Sequence, residues 1–314
     1  MQTEDIVVGS TVLVTGGTGF VGRALCQALL QAGAQVVVLS RSKRPAGDHG
    51  AKALRQVSSL QELKGESFDT VINLAGEPIS QRWTPQAKAR ILSSRIGSTQ
   101  ALIQFMQQAP RPPRVFISAS AIGFYGTSVC TVFDEQTPPS TEGGAFSHEL
   151  CALWEQEAVC AEALGVRTVR LRLGVVLGPG GGFLQKMLLP FKLGLGARIG
   201  HGRQWLSWIE RDDLIQLILH VVRTPTLNGP VNATAPKPVP QAEFCAALAR
   251  ALHRPCLFTI PPVVLRVALG DMAEELMLQG QQVVPSQALA SGFVFEQPEI
   301  CLLYTSDAAD DSLR

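Results

Sequence analysis

A single stretch near the start of the chain, residues 12–22, limits the fold more than any other part of the sequence. The apolar run Val12–Val14 has the composition of a buried strand and is followed at once by the glycine-rich residues 15–22, Thr-Gly-Gly-Thr-Gly-Phe-Val-Gly. An Ala- and Leu-rich stretch, 23–32, comes next and is closed by Gly33. This order predicts a strand, a tight glycine turn and a helix that ends at a glycine.

Each glycine of this turn has its own expected role. Gly16 allows the tight turn, Gly19 lets a pyrophosphate come close to the backbone, and Gly22 lets the helix pack closely on the strand. The helix N-terminus then presents unpaired N–H groups and the positive end of its dipole to phosphates. The pattern predicts a dinucleotide-binding turn; the alternative is an ordinary glycine-rich turn between a strand and a helix.

The end of the second predicted strand indicates which dinucleotide is bound. Residues 35–39 form another apolar run that ends in Ser40 and Arg41, and Lys43 and Arg44 follow closely. An NAD site usually has an acidic residue here that holds the ribose 2′-hydroxyl, whereas an arginine can bind a 2′-phosphate with two hydrogen bonds. NADP(H) is therefore the expected cofactor; the alternative is a solvated basic loop.

Composition and charge exclude several classes of function. The 314 residues are 46% hydrophobic and carry a formal net charge of +1, without a long run of one charge, so we expect no nucleic acid and no membrane partner. We find neither an apolar run long enough to span a membrane nor a signal peptide. Seven scattered cysteines without a C-x-x-C pair favour thiols in a reducing compartment over disulfides or a metal site. We therefore expect a cytoplasmic protein without a bound metal.

The rest of the chain alternates between strand and helix patterns. Further strands are predicted over 69–76, 114–118 and 167–176. A helical period over 87–108 places Arg90 and Arg95 on one helix, and a second amphipathic helix is predicted over 149–164. Alternating elements of this kind predict a parallel sheet covered by helices on both faces.

The glycine-rich run 178–182 interrupts this alternation. We interpret it as a hinge between domains; the alternative is a phosphate cradle. The predicted fold is α/β: a Rossmann-type doubly wound parallel sheet in residues 1–177, which binds NADP, and a smaller C-terminal α+β domain for the substrate, mainly in residues 178–300 and partly interleaved with the sheet.

Five motifs connect the chain to a known family. They are Gly-Gly-Thr-Gly-Phe-Val-Gly (16–22), Val-Ile-Asn-Leu-Ala-Gly-Glu (71–77), Ser-Ala-Ser-Ala-Ile-Gly-Phe-Tyr-Gly (118–126), Leu-Gly-Val-Val-Leu-Gly (173–178) and Met-Leu-Leu-Pro-Phe-Lys-Leu-Gly-Leu-Gly (187–196). With these motifs the chain resembles the extended short-chain dehydrogenase/reductases and, more narrowly, the YfcH-like epimerase family, the bacterial relatives of human SDR39U1.

The resemblance implies a Rossmann-type domain that binds NADP(H), and a homodimer is the assembly it suggests, because extended family members often dimerise through two helices. By residue-to-residue correspondence, it places the cofactor contacts at Gly16, Thr18, Gly19, Phe20, Val21, Gly22, Ser40, Arg41, Leu74, Ala75, Gly76, Arg90, Arg95, Ser118 and Val176.

The chain departs from the larger family at the catalytic pair. That family uses a Tyr-x-x-x-Lys dyad, in which the lysine lowers the pKa of the tyrosine. Neither tyrosine of this chain, Tyr125 or Tyr304, has a lysine four residues later, and no lysine lies between Lys88 and Lys186. Proton transfer, if it occurs, needs other groups.

Three residues are candidates for that proton transfer. Ser120 corresponds to the family's active-site serine, Tyr125 follows the same predicted strand, and His148 has an ordinary pKa near neutrality. Alternatively, Tyr125 is a packed aromatic and His148 a solvated residue at a helix start. Without a nearby lysine, we expect the Tyr125 phenol to keep a pKa of about 10. We expect Glu135 and Glu149 to be surface charges.

Two functions remain open on this evidence. The first is an NADP(H)-dependent oxidoreductase or epimerase acting on an unknown small molecule, and the second is a non-catalytic NADP(H)-binding sensor or partner-binding protein. The missing dyad supports the second, while Ser120 and the C-terminal motifs favour the first. The last residues, 301–314, have no amphipathic period and resemble a translated adapter or frame-shifted end, so we expect a non-native or disordered tail.

Overall fold

The computed structural model describes residues 7–41, 54–139 and 144–300. Within these residues, seven parallel strands form a central sheet: β1 (Thr11–Thr15), β2 (Gln35–Leu39), β3 (Leu54–Val57), β4 (Thr70–Asn73), β5 (Val115–Ala121), β7 (Arg167–Leu173) and β12 (Gly229–Ala233). Their spatial order is β12-β7-β5-β4-β1-β2-β3. Eight short strands pair outside this sheet: β6 (Val132–Phe133), β8 (Val175–Leu177), β9 (Gly196–Ile199), β10 (Trp205–Leu206), β11 (Trp208–Glu210), β13 (Val239–Pro240), β14 (Cys256–Ile260) and β15 (Gln282–Val283).

Helices cover both faces of the central sheet. They are α1 (Phe20–Gln31) and α5 (Arg211–Arg223) on one face, and α2 (Pro85–Gln108) and α3 (Phe146–Val159) on the other. Along β1, Val12 and Val14 pack against the first pair of helices, whereas Leu13 packs against the second. Burial of every successive side chain explains why these strands are uninterrupted apolar runs in the sequence. The predicted doubly wound Rossmann-type sheet is confirmed.

The strand order reverses between β1 and β4. β1 pairs in parallel with β2 on one side and with β4 on the other. Because all strands of the sheet are parallel, their carboxyl ends meet at one edge, and the chain leaves β1 and β4 in opposite directions there. This reversal opens a crevice, which is where doubly wound sheets bind ligands.

The strand predicted over 167–176 stops at Leu173. Gly174 donates its N–H to the carbonyl oxygen of Ala233, and a Cβ at Gly174 would lie only 2.8 Å from the carbonyl oxygen of Ser207. The chain turns out of the central sheet at this close contact. β8 then pairs with β11 in a separate two-stranded sheet.

The later part of the chain adds shorter helices and two-stranded sheets. The further helices are α4 (Gly182–Lys192), α6 (Gln241–Ala251), α7 (Pro262–Leu269), α8 (Asp271–Ala273) and α9 (Ser286–Ala290). Single helical turns with other hydrogen-bond spacing lie at Leu60–Leu63, Ile122–Tyr125, Cys160–Leu164 and Glu274–Leu278, the last being a π-helical turn. Leu184, Phe191, Trp208 and Phe244 form a core that is separate from those of the sheet. Since α5 and β12 return to the sheet, residues beyond 177 contribute to both parts of the molecule.

Three further features of the described residues concern membrane-spanning helices, cysteines and metal sites. None of the helices in the described segments is both long and apolar enough to cross a membrane. The described cysteines are all free thiols, and no cluster of His, Cys, Asp or Glu within the described chain could hold a metal ion. The predicted tail, 301–314, lies outside the described residues.

Candidate functional site

The turn between β1 and α1 is closed to added side chains at Gly16, Gly17 and Gly22 and is more open at Gly19. Gly16 has a φ of +73°, which favours glycine, and a Cβ there would lie 2.6 Å from the carbonyl oxygen of Leu74. At Gly22 a Cβ would lie 2.1 Å from the carbonyl oxygen of Gly16. At Gly19, by contrast, the nearest atom to a Cβ is that same oxygen, at 3.2 Å. Protein atoms therefore fill the space around Gly16 and Gly22, and a ligand has room at Gly19.

The N-terminus of α1 opens onto this space. Gly19 is the N-cap residue, no described side chain caps the helix, and its first turn contains no acidic residue. The first N–H groups, those of Phe20 and Val21 among them, therefore have no partner within the helix. Together with the positive end of the helix dipole, they form a site that favours an anion such as a pyrophosphate.

The glycine-rich run 178–182 packs against this turn. A Cβ at Gly181 would lie 2.5 Å from the Phe20 ring, and Gly182 has a φ of +69°. The Arg211 guanidinium lies 5.5 Å from the centroid of the same ring and donates to the carbonyl oxygen of Pro179 at 2.9 Å. Close packing on Phe20 accounts for the glycines at 181 and 182. The hinge between domains stays a prediction.

The end of β2 lies beside the turn. The hydroxyls of Thr18 and Ser40 are 3.4 Å apart, and Arg41 is exposed at the strand end. The two other cations predicted to attract a 2′-phosphate, Lys43 and Arg44, lie outside the described residues.

The end of β4 contributes the next part of the crevice. Leu74 donates its N–H to the carbonyl oxygen of Thr15 at 3.2 Å, and a Cβ at Gly76 would lie 3.0 Å from the Arg95 guanidinium carbon. Arg95 stacks on the Trp154 ring, 5.2 Å from its centroid, and burial lowers its pKa from the usual value. The crevice thus contains a half-buried cation held by an aromatic ring.

The remaining predicted contacts differ in exposure. Ala75 lies close to the turn, its nitrogen 3.0 Å from a Cβ placed at position 16. Arg90 is exposed, with its nearest carboxylate, that of Glu77, 4.0 Å away. Ser118 is buried beside Asn73, the last residue of β4, and Val176 lies in β8.

A buried hydrogen-bond chain that the sequence analysis missed fixes this edge of the sheet. Thr15 donates its hydroxyl to Asn73 Oδ1 at 2.6 Å, and Asn73 Nδ2 donates to the Thr99 hydroxyl at 2.9 Å. Trp154 Nε1 donates to the same hydroxyl at 3.1 Å. These bonds join β1, β4, α2 and α3 at the crevice. The polar residues that end the two apolar strands were the signal for it.

Ser120 and Tyr125 belong to a buried ion-pair network. Arg172 binds Glu155 through two hydrogen bonds, of 2.7 and 2.8 Å. Ser120 donates its hydroxyl to Glu155 at 2.8 Å. Arg172 donates to the Tyr125 hydroxyl at 2.8 Å, and that hydroxyl donates to Asn232 Oδ1 at 2.8 Å. None of the five residues is more than 4% exposed.

This burial changes the expected chemistry of both hydroxyls. Each donates its hydrogen to another protein group, and neither faces solvent. Burial raises the pKa of Tyr125 to about 12, with Arg172 acting in the opposite direction. The expectation that this pKa stays near its ordinary value was wrong because it ignored burial.

His148 lies on the outer side of the same cluster. Its Nδ1 is 2.7 Å from the carbonyl oxygen of Phe124, and its ring is half-buried. A carbonyl only accepts hydrogen bonds, so Nδ1 carries a hydrogen, and in the neutral ring the lone pair is on Nε2. The Phe124 ring lies 3.6 Å from the Arg172 guanidinium carbon. The three predicted catalytic residues are therefore neighbours, but His148 is the one that is not fully buried.

Glu135 is not a surface charge. It is 8% exposed and accepts the backbone N–H of Asn232 at 2.9 Å, and burial raises its pKa from the usual value. β6 pairs with β15, and this pairing places Glu135, two residues after β6, in the interior. The sequence did not indicate this pairing. Glu149 is exposed, as predicted.

The start of α3, where the larger family carries its dyad, is capped by a residue from the C-terminal part of the chain. Glu275 accepts the N–H groups of Phe146 and Ser147 at 3.0 and 2.8 Å, and the Ser147 hydroxyl at 2.7 Å. One turn later, burial raises the pKa of the Cys151 thiol to about 12. Glu275 is 128 positions away from Ser147, so no local pattern could have identified it.

Comparisons with known proteins agree with this architecture. Residues 12–233 match the family model described as the NAD dependent epimerase/dehydratase family, and residues 260–301 match a domain of unknown function, DUF1731. The chain is 40% identical to the epimerase family protein YfhF of Bacillus subtilis, over 92% of this chain and 95% of that protein. It is also 40% identical to the chloroplastic SDR39U1 homolog of Arabidopsis thaliana, over 91% of this chain and 83% of that protein.

Solved structures show the same similarity. Human epimerase family protein SDR39U1 (isoform 2), solved with NADPH, superposes with a TM-score of 0.84 at 33% identity, covering 96% of this chain and 99% of the human chain. A nucleoside-diphosphate sugar epimerase from Corynebacterium glutamicum superposes with a TM-score of 0.72 at 27% identity, covering 98% of this chain and 59% of that one. The glycine turn, the doubly wound sheet and these matches lead to one conclusion: the chain belongs to the NAD dependent epimerase/dehydratase family.

Proposed function

We propose that this protein is an NADP(H)-dependent oxidoreductase or epimerase that acts on a small molecule. The turn at Gly16–Gly22 would hold the pyrophosphate, Ser40 and Arg41 the 2′-phosphate, and Arg95 a further part of the cofactor. When bound, the cofactor supplies or accepts the hydride. NADPH in the human relative supports the choice of dinucleotide.

The observation that carries the proposal is the selective opening of the glycine turn. Gly16 and Gly22 are required by protein contacts of 2.6 and 2.1 Å, whereas Gly19 faces no protein atom closer than 3.2 Å. Gly19 has a single neighbouring protein atom within 4 Å, and a shift of a few tenths of an ångström would relieve that contact, so protein packing constrains Gly19 far less than Gly16 or Gly22. The space at Gly19, beside an uncapped helix N-terminus, fits a pyrophosphate.

The proton in this reaction would be handled by His148. Its Nδ1–H is held by the Phe124 carbonyl, which leaves the Nε2 lone pair to accept a proton from the substrate. Ser120 and Tyr125 would act as positioning residues, since their network holds the turn that carries Phe124.

Arg41 provides the direct test of the cofactor assignment. Arg41→Ala removes a charge-assisted contact to a phosphate, which is worth about 1.5–3 kcal/mol. We expect NADPH to bind roughly 10- to 150-fold more weakly, with little change for NADH, when both are followed by titration calorimetry.

A matched control is Arg114→Ala, an exposed arginine at the opposite edge of the sheet, just before β5. This variant should bind both cofactors as the wild type does. An equal loss of NADPH and NADH affinity in Arg41→Ala would show that Arg41 does not bind the 2′-phosphate.

His148→Asn tests the proton carrier. We expect turnover with a panel of carbonyl compounds and nucleotide sugars to fall by about 100-fold or more, with NADPH affinity unchanged. His253→Asn is the matched control, because His253 is exposed and has a φ of +50°, which asparagine tolerates. Turnover in His148→Asn equal to that of the control would remove His148 from the reaction.

A non-catalytic NADP(H)-binding sensor or partner-binding protein is the second candidate. The observation that favours it is the burial of Ser120 and Tyr125, which leaves neither hydroxyl able to touch a substrate. The same panel separates the two functions. NADPH binding without oxidation or epimerisation of any compound favours the sensor.

A further inference from the structure

The first turn of α3 has no cap from its own N-cap residue, Ala145, whose side chain cannot accept a hydrogen bond. The N–H groups of Phe146 and Ser147 have no carbonyl partner within the helix. The Phe146 N–H is instead donated to Glu275 Oε1, and both the N–H and the hydroxyl of Ser147 are donated to Oε2. A single carboxylate from a distant element thus replaces the local cap.

The segment that carries this carboxylate is also packed against α3. Glu275 lies in the stretch 260–301, which matches a domain of unknown function. Met272, three residues before it, is buried in an apolar cluster with Trp83 and Phe146. The segment therefore contacts the start of α3 in two ways, with an apolar side chain and with a hydrogen-bonded carboxylate.

The start of α3 lies directly on the turn that follows β5. A Cβ at Gly123 would lie 3.2 Å from the Ser147 Cβ and 3.3 Å from the Ser147 carbonyl oxygen. The next residue of each element makes the hydrogen bond between His148 Nδ1 and the Phe124 carbonyl oxygen, at 2.7 Å. Because hydrogen bonds extend only to about 3.2 Å, a shift of the helix start by about 1 Å would break this bond.

The bond to Phe124 decides which ring nitrogen of His148 carries the hydrogen. A neutral imidazole has one N–H and one bare nitrogen, and the partner of one nitrogen fixes the state of the other. With Nδ1–H donated to the carbonyl, the lone pair is on Nε2. Without that bond the hydrogen is free to move to Nε2, which could then no longer accept a proton. The chemistry of the ring thus depends on where the first turn of α3 is held.

We propose that Glu275 is a positioning residue for His148. By holding the first turn of α3, it keeps the His148 Nδ1–H on the Phe124 carbonyl and the lone pair of the neutral ring on Nε2. This gives part of the 260–301 stretch a role in the reaction. The inference rests on the proposed function of His148 as the proton carrier, but the tautomer of the ring can be measured without a substrate.

NMR of the full-length protein labelled with ¹⁵N-histidine measures this tautomer. Long-range ¹H–¹⁵N correlation spectra at about pH 8.5, where a ring of ordinary pKa is neutral, distinguish a protonated ring nitrogen from a bare one. The chain has five histidines, and the spectrum of His148→Asn identifies the signals of His148 by their loss. We expect the Nδ1–H form in the wild type. A wild-type ring in the Nε2–H form overturns the proposal.

Two variants of Glu275 test its effect on the ring. Glu275→Ala removes both accepting oxygens, whereas Glu275→Gln keeps the size of the side chain and leaves one acceptor. We expect the fraction of His148 in the Nδ1–H form to fall at least about twofold in both, and further in Glu275→Ala. NADPH titration checks that each variant is folded. A wild-type tautomer in folded Glu275→Gln overturns the proposal, even if Glu275→Ala fails to fold.

Glu62→Ala is the matched control. Glu62 also accepts two backbone N–H groups and a serine hydroxyl, those of Ser58 and Ser59, at 2.7 to 3.0 Å, but it lies beyond β3 at the far edge of the sheet. This variant should keep the His148 tautomer. An equal shift in Glu62→Ala would mean that the tautomer responds to any lost cap, and the proposal would be wrong. Wild-type turnover in His148→Asn would instead remove the proposed function alone, because the tautomer measurement does not depend on turnover.

Discussion

The glycine turn and the Ser120–Tyr125 network lie at the same edge of the sheet but differ in how their polar groups are paired. In the turn, the N–H groups at the start of α1 have no cap, and the space at Gly19 is open. In the network, both hydroxyls and both charges are hydrogen-bonded within the protein and buried. The first region is built to receive a ligand, and the second is complete without one.

This difference shows why position in the sequence is an incomplete guide to chemistry. The family resemblance predicted Ser120 as the active-site serine, yet its hydrogen bond goes to Glu155. Removing a group from the network should therefore affect stability first, while removing a group from the turn should affect ligand binding first. The predictions below test that separation.

The largest effect on stability is expected from Arg172→Met. The substitution leaves the Glu155 carboxylate buried without its cation and with only the Ser120 hydroxyl as a hydrogen-bond donor, and removing one partner of a buried ion pair typically costs about 3–5 kcal/mol. Urea unfolding should show this loss in the free energy of unfolding. Arg55→Met is the control, since its ion pair with Glu66 is about half exposed and should contribute no more than about 1 kcal/mol.

A double variant tests whether the buried carboxylate of Glu155 causes this loss of stability. Adding Glu155→Leu to Arg172→Met removes the unpaired charge, so the double variant should be more stable than Arg172→Met alone. A loss below about 1 kcal/mol in the single variant would mean that the network contributes little to the fold.

A smaller effect is expected from the Tyr125 phenol at high pH. Its pKa of about 12 in the folded protein lies above the value of about 10 for an unfolded chain. The folded state therefore holds this proton more tightly. The resulting stabilisation is complete below pH 10 and is lost as the pH rises towards 12.

Ultraviolet titration of phenolate measures this pKa directly. In a Tyr304→Phe background Tyr125 is the remaining tyrosine, and its absorbance change should occur near pH 12. Arg172→Met is not suitable here, because it also removes the neighbouring cation. A midpoint near 10 in the folded protein would place the phenol in contact with solvent.

Much of the fold could be predicted from local patterns. The apolar runs at β1, β2, β4 and β5 and the glycine turn were sufficient, because each of these strands is buried on both faces and α1 follows directly on the glycine turn. The break at Gly174 was missed, since it arises from the close approach of residue 207, which lies far along the chain.

The part of the candidate site that is formed by residues close together in the sequence was predictable. The positions of Gly19, Phe20 and Ser40 follow from a single strand–turn–helix unit and the strand after it, and their contacts with a cofactor stay a prediction. Glu155 and Glu275 were not identified, because each acts on residues from other elements. Nor does a sequence pattern distinguish a hydroxyl that faces a substrate from one that donates to a buried carboxylate.

Titration calorimetry of the Gly19→Val variant with NADPH tests the central claim most directly. Gly19 has a φ of −80°, which valine adopts, and a shift of a few tenths of an ångström relieves the 3.2 Å contact of its Cβ with the carbonyl oxygen of Gly16. The fold should therefore be retained while the side chain fills the pyrophosphate space. We predict at least about a hundredfold weaker NADPH binding, or roughly 2.7 kcal/mol. The control, Gly97→Val, adds the same side chain where nothing lies within 4 Å and should bind NADPH as the wild type does. Wild-type affinity in a folded Gly19→Val protein would contradict the assignment of the glycine turn as the cofactor site.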